Sequence, residues 1–138
     1  MTDSVTIVLL GTPVPWARTA GGRTVGLFTP AKQRRNAQTL ATIAQQEMLG
    51  RAPFDGPLEL NMLAAFPVPA SWSGKKRAAA LRQELFPAKR PDLSNLLKQV
   101  EDSLNGVVFR DDALIVQAQI AKIYGEEPQI VVTVSTLS

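Results

Sequence analysis

Residues 89–112, KRPDLSNLLKQVEDSLNGVVFRDD, constrain the fold more than any other part of the 138-residue chain. Leu93, Leu96, Leu97, Val100 and Leu104 recur at i, i+3, i+4, i+7 and i+11, which is one apolar stripe on a helix starting near Asp92. Such a stripe has to be buried, so the helix must lie on a sheet. Asn95, Lys98 and Asp102 fall on the opposite side, one above another, and are left to chemistry or solvent. Asn105-Gly106 predicts a turn and VVF the start of a strand. Asp111-Asp112 then interrupt that strand before LIVQAQIAKIY resumes it.

The other segments supply the rest of a single domain. Residues 5–10 form an apolar, β-branched run that reads as a first strand. The stretch GTPVPWARTAGGR is broken by prolines and glycines and reads as a loop carrying Trp16, Arg18 and Arg23. Trp16 there is either a stacking surface for a base or a lid on the core. Residues 24–28 suit a second short strand. Thr29-Pro30 starts a helix that runs to Gly50, with Ala37, Leu40, Ala41, Ile43, Ala44 and Met48 on its apolar face. Alternation over residues 58–66 predicts a strand, ended by Pro67 and Pro69. In SWSGKKRAAALRQELF, Ser71 or Ser73 caps a short helix, the alternative being a basic loop. Residues 129–134 close the sheet as a hairpin partner of the preceding strand across the turn at 125–128.

Absent residue types narrow the chemistry. With no cysteine and no histidine, disulfides, zinc-thiolate sites and Ser-His-Asp or Cys-His catalysis are excluded. A hard cation held by carboxylates becomes the leading enzymatic option. Asp92, at a helix start, and the Asp111-Asp112 pair are the candidate ligands for Mg²⁺, with Mn²⁺ the alternative. Lys98 is placed to steady an attacking water, a phosphate or a leaving oxygen. The plainer reading is that Asp92 caps the helix, Asn95 and Lys98 are solvated, and the acidic pair belongs to a turn.

Net charge is only +3, but it is unevenly spread. Every charge in residues 4–46 before Glu47 is positive, namely Arg18, Arg23, Lys32, Arg34 and Arg35. Residues 75–90 hold Lys75, Lys76, Arg77, Arg82, Lys89 and Arg90 against Glu84 alone. Basic arms around a small acidic centre suit a polyanion whose phosphate is handled by a metal, although solvated surface charge gives the same pattern. No run approaches the ~20 apolar residues of a membrane span. The first four residues lack a signal-peptide start, so a cytoplasmic location without membrane partners is the expectation.

The run RPDLSNLLKQVEDSLNGVVFRDDALI resembles the signature of the RusA family of Holliday junction resolvases, a PDxDNLxK segment, a turn and a DD pair before an apolar strand. The Pro-rich loop with Arg18, the TP-K helix start, the SWS-KKR segment and Lys122 also look like family features. The resemblance implies an α+β domain with a small mixed sheet packed against helices. It implies a homodimeric, magnesium-dependent endodeoxyribonuclease that nicks four-way DNA junctions symmetrically in recombination and repair, of a kind often encoded by phages or prophages. Asp92 and Asp112 match metal-binding positions, Asp111 is the neighbour in the pair, and Lys98 matches a lysine needed for cleavage. The DNA-facing set is Arg18, Arg23, Lys32, Arg34, Arg35, Lys75, Lys76, Arg77, Lys89, Arg90 and Lys122. Ser94 is the departure, because the family has a metal-binding aspartate there. Glu101 shares nearly the same helical azimuth but lies about 10 Å further along the axis, so it does not fill that position. The alternative to a full resolvase is therefore a junction-binding protein with weak or no cleavage.

Overall fold

The computed structural model describes residues 3–14, 18–20, 23–25 and 30–137, with the backbone alone at 18–20, 23–25 and Pro30. Trp16, the Thr29 cap, residues 26–28 of the expected second strand, and the side chains of Arg18 and Arg23 lie outside what is described. The elements are β1 (Ser4–Leu10), β2 (Arg18–Ala20), β3 (Arg23–Val25), α1 (Pro30–Met48), β4 (Leu58–Phe66), α2 (Gly74–Leu81) and α3 (Leu93–Leu104). A 3₁₀ turn (Asp112–Leu114), β5 (Ile115–Tyr124) and β6 (Gln129–Thr136) complete the chain. The class is the α+β arrangement that the resemblance implies. No helix among the described residues is long and apolar enough to cross a membrane.

One sheet has the order β1-β6-β4-β5, and β2-β3 pair separately as a short antiparallel ribbon. The last two strands are therefore not a hairpin, contrary to the expectation from their short connecting turn. β6 is antiparallel to both β1 and β4, whereas β5 lies outside β4 and runs parallel to it. Composition explains the exchange. In β6, Ile130, Val132 and Val134 are almost wholly buried, so it takes an inner place. In β5, residues 116–119 are exposed, which suits a sheet edge. A parallel neighbour requires a long crossover, and residues 67–114, with α2 and α3, supply it.

The helices α1 and α3 cover one face. Its rows are Ile7, Val132, Met62 and Ile120 across the four strands, and Leu9, Ile130, Ala64 and Lys122 beside them. Leu40, Ala44 and Met48 of α1 and Leu96, Val100 and Leu104 of α3 close over these rows. Leu93 does not join them. Its azimuth matches that of Val100 and Leu104, but as the first residue of the helix it is 38 % exposed. On the other flank the buried arc takes in polar residues, because α3 packs on α1 as well as on the sheet. Gln99 is 1 % exposed and donates from Nε2 to the Gln33 carbonyl of α1 at 3.2 Å, while Ser103 Oγ donates to the Gln99 carbonyl at 2.6 Å.

VVF is not a strand. The residues after α3 are used in reversing the chain: Gly106 sits at φ +83°, and the amides of Val107 and Val108 both donate to the Leu104 carbonyl. Val108 and Phe109 then plug the core, held by two backbone hydrogen bonds to Phe54. The basic segment at 74–81 is a helix and not a loop, with Ser73 Oγ accepting from the Lys76 amide at 3.2 Å.

Candidate functional site

Asp92 occupies the N-cap position of α3, with the Asn95 and Leu96 amides donating to its carbonyl, but its carboxylate makes no capping bond. The exposed acid is therefore not used in holding the helix. Asp111 behaves differently: Oδ1 accepts from the Ala113 amide at 3.3 Å and caps the 3₁₀ turn. That bond, and a second from the carboxyl of Asp112, hold Asp111 below its ordinary range. Asp112 is pushed up, first by its side-chain interaction with Asp111, then by desolvation and by the negative charge of its neighbour. The two neighbouring carboxyls are thus shifted in opposite directions.

The pair sits beside the later turns of α3. Asp112 is lowered by the charge of Lys98 and raised by that of Asp102. Lys98 Nζ lies 3.2 Å from Asp102 Oδ1 in an exposed i, i+4 pair. Glu101 completes the group; its carboxyl is pushed up by burial and then by Asp112, with Lys98 opposing. The sequence brought Glu101 forward only as a stand-in for the aspartate missing at Ser94. Nothing in the local sequence signals its role, because its acidic neighbour arrives through the turn after α3.

Asp92 stands apart from this group. Lys122, eight residues into β5, contacts the Pro91 carbonyl next to Asp92, while Asp112 immediately precedes the start of that strand. Ile115 and Lys122 are separated by about 23 Å of extended chain. The helix α3 therefore runs antiparallel to β5, with its start at the far end of the strand and its later turns beside the acidic pair. Among the described residues no group of three or more acids is close enough to hold a metal ion. The anticipated convergence of Asp92, Asp111 and Asp112 is not assembled within one copy of the chain.

The profile of the endodeoxyribonuclease RusA family matches residues 11–135 of the 138. The chain belongs to the RusA family. It is also 30 % identical, over 141 aligned positions covering 99 % of each chain, to the uncharacterized protein YqaN of Bacillus subtilis (strain 168). RusA membership gives the acidic pair a chemical context, since the family's nucleases are metal-dependent. Two adjacent carboxylates meet the usual requirement of Mg²⁺, which takes one or two and completes its shell with water and phosphate oxygens. The Asp111-Asp112 pair fits that pattern in this RusA chain, and Asp92 is not grouped with it among the described residues.

Lys32, Arg34 and Arg35 are exposed on the first turns of α1, which the Gln33-Gln99 hydrogen bond holds against the middle of α3. Lys75, Lys89 and Arg90 are exposed as well. Further cations of the basic set make contacts within the fold. Arg77 donates to the carbonyls of Val68 and Pro69 at 3.4 and 3.1 Å, and Lys76 Nζ lies 4.0 Å from the centre of the Trp72 ring. Lys122 Nζ donates to the carbonyls of Lys89 and Pro91. Ser94 is exposed in the first turn of α3, and Asn95 beside it is half-buried.

Proposed function

We propose that the chain is a divalent-cation-dependent endonuclease that resolves four-way DNA junctions by paired, symmetric nicks as a homodimer, in recombination and repair. The observation that carries this reading is the adjacent, oppositely shifted Asp111-Asp112 pair beside Lys98, in a chain of the RusA family. Asp111 and Asp112 are the residues that would hold Mg²⁺ or Mn²⁺, and the bound cation supplies charge neutralisation and an acidified water. The Lys98 ammonium, whose exposed pair with Asp102 contributes under ~1 kcal/mol, is the cation placed to meet the scissile phosphate. The basic start of α1 and the Lys89-Arg90 pair hold the flanking backbone by counterion-releasing contacts.

The separation of Asp92 from the pair gives the homodimer a chemical reason: a cation held by Asp111 and Asp112 can take Asp92 as a ligand only from a second copy. Mixing inactive Asp92→Asn and Asp112→Asn proteins tests this. With shared sites the mixed dimer keeps one intact centre and regains nicking, whereas with self-contained sites the mixture stays inactive. The activity itself is tested on a synthetic four-way junction with Mg²⁺, where well-folded dimer giving no metal-dependent nicks would sink the proposal. Ser94 favours the second reading, junction binding with poor cleavage. A large gain of nicking in Ser94→Asp supports it, and a fully active wild type rules it out.

A further inference from the structure

Lys122, a member of the basic set, faces the helices. In the sheet it stands in the row of Leu9, Ile130 and Ala64, on the side that α1 and α3 cover. Its ammonium crosses to the chain entering α3 and donates to the Lys89 carbonyl at 2.7 Å and the Pro91 carbonyl at 2.9 Å. Two of its three protons are thus bound to carbonyls that bracket Arg90. Hydrogen bonds from a charged donor are among the stronger ones, and this donor is half-buried. The next residue after Pro91 is Asp92, whose carboxylate has no bond to its own helix, so its place depends on the backbone that precedes it.

We propose that Lys122 is a positioning residue: its ammonium straps residues 89–91 to β5 and thereby fixes where Asp92, Lys89 and Arg90 stand, instead of binding DNA phosphate itself. Only one of its three protons is left for any other acceptor. β5 then serves two parts of the site, presenting Asp111 and Asp112 at its start and anchoring Asp92 through Lys122 near its end. This inference rests on the nuclease reading for its functional consequence, but the strap itself is observable in metal-free protein.

The test uses Lys122→Met, which keeps the aliphatic stem and removes the ammonium. Amides of residues 89–96 are expected to lose hydrogen-exchange protection, and nicking to fall about 10–100-fold, as small misplacements of catalytic groups cost. Metal-free junction binding keeps its salt dependence. If the salt slope instead drops by about one, the increment of a lost phosphate contact, Lys122 binds DNA and the proposal fails. Unchanged exchange at residues 89–96 also overturns it. Should Lys122→Met not fold, cross-hydrogen-bond couplings from Lys122 Nζ to the carbonyl carbons of Lys89 and Pro91 in the wild type decide, and their absence refutes the strap. A wild type that nicks no junction defeats the nuclease reading, while the exchange and coupling measurements still decide the strap.

Discussion

Glu101 carries a cost that the site imposes on the fold. Its carboxyl is raised above the ordinary 4.5 by burial and by Asp112, so the folded state holds its proton more tightly than the unfolded one. Stability from this group is fully present below pH 4.5 and is lost as pH rises through the folded value. Glu101→Gln is therefore expected to melt about 1–2 °C higher than wild type at pH 7, a small gain because the group is mostly solvent-screened. The difference should vanish below pH 4, as thermal scans by circular dichroism would show. Asp111, Asp112 and Lys98 were legible in the sequence as residue types at telling positions. The surroundings of Glu101 were not, since they are made by a segment that returns from the far side of a turn. Lys122 stood in the sequence as a DNA-facing cation, because carbonyls that capture an ammonium leave no mark in residue type.

At the scale of elements, periodicity was a sound guide for β4 and α1, and the apolar run at residues 5–10 is the strand it was read as. Periodicity misjudged α3, which has two partners, so that Gln99 and Ser103 are buried and Leu93 is not. Leu96→Ala, beneath both partners, is expected to cost about 2–5 kcal/mol in urea unfolding, and Leu93→Ala far less. The cap of α2 is a smaller term: Ser73→Ala should lose about 1 kcal/mol through one exposed bond. A loss under 0.3 kcal/mol by the same urea measurement, roughly the error of a titration, would show that packing alone holds this helix. The hairpin expectation for β5 and β6 failed for a related reason. A four-residue turn makes neighbours in sequence, but the inner place in a sheet goes to the strand with more surface to bury.

On the scale of the whole molecule, the sheet face opposite the helices bears Val8, Val131, Leu63 and Ala121 in one row and Thr6, Thr133, Asn61 and Gln119 in the next. Val8 and Leu63 are 41 % and 39 % exposed, an apolar row of the kind a second copy would cover in the proposed homodimer. Leu63→Lys is expected to shift the protein to monomer in analytical ultracentrifugation while helix content is kept. Retention of the dimer would place the interface elsewhere. The inner position of β6 also sets an order of events. It is the latest strand in the chain, yet β1 pairs with nothing else in this sheet and β4 gains its antiparallel neighbour only from it. The first strand must therefore wait for the last, across more than a hundred residues, and such distant pairings close slowly. Until β6 is in place, β1 has no partner in this sheet and the floor beneath the helices is incomplete, so the surface on which α3 sets its lysine beside the acidic pair depends on the last strand of the chain.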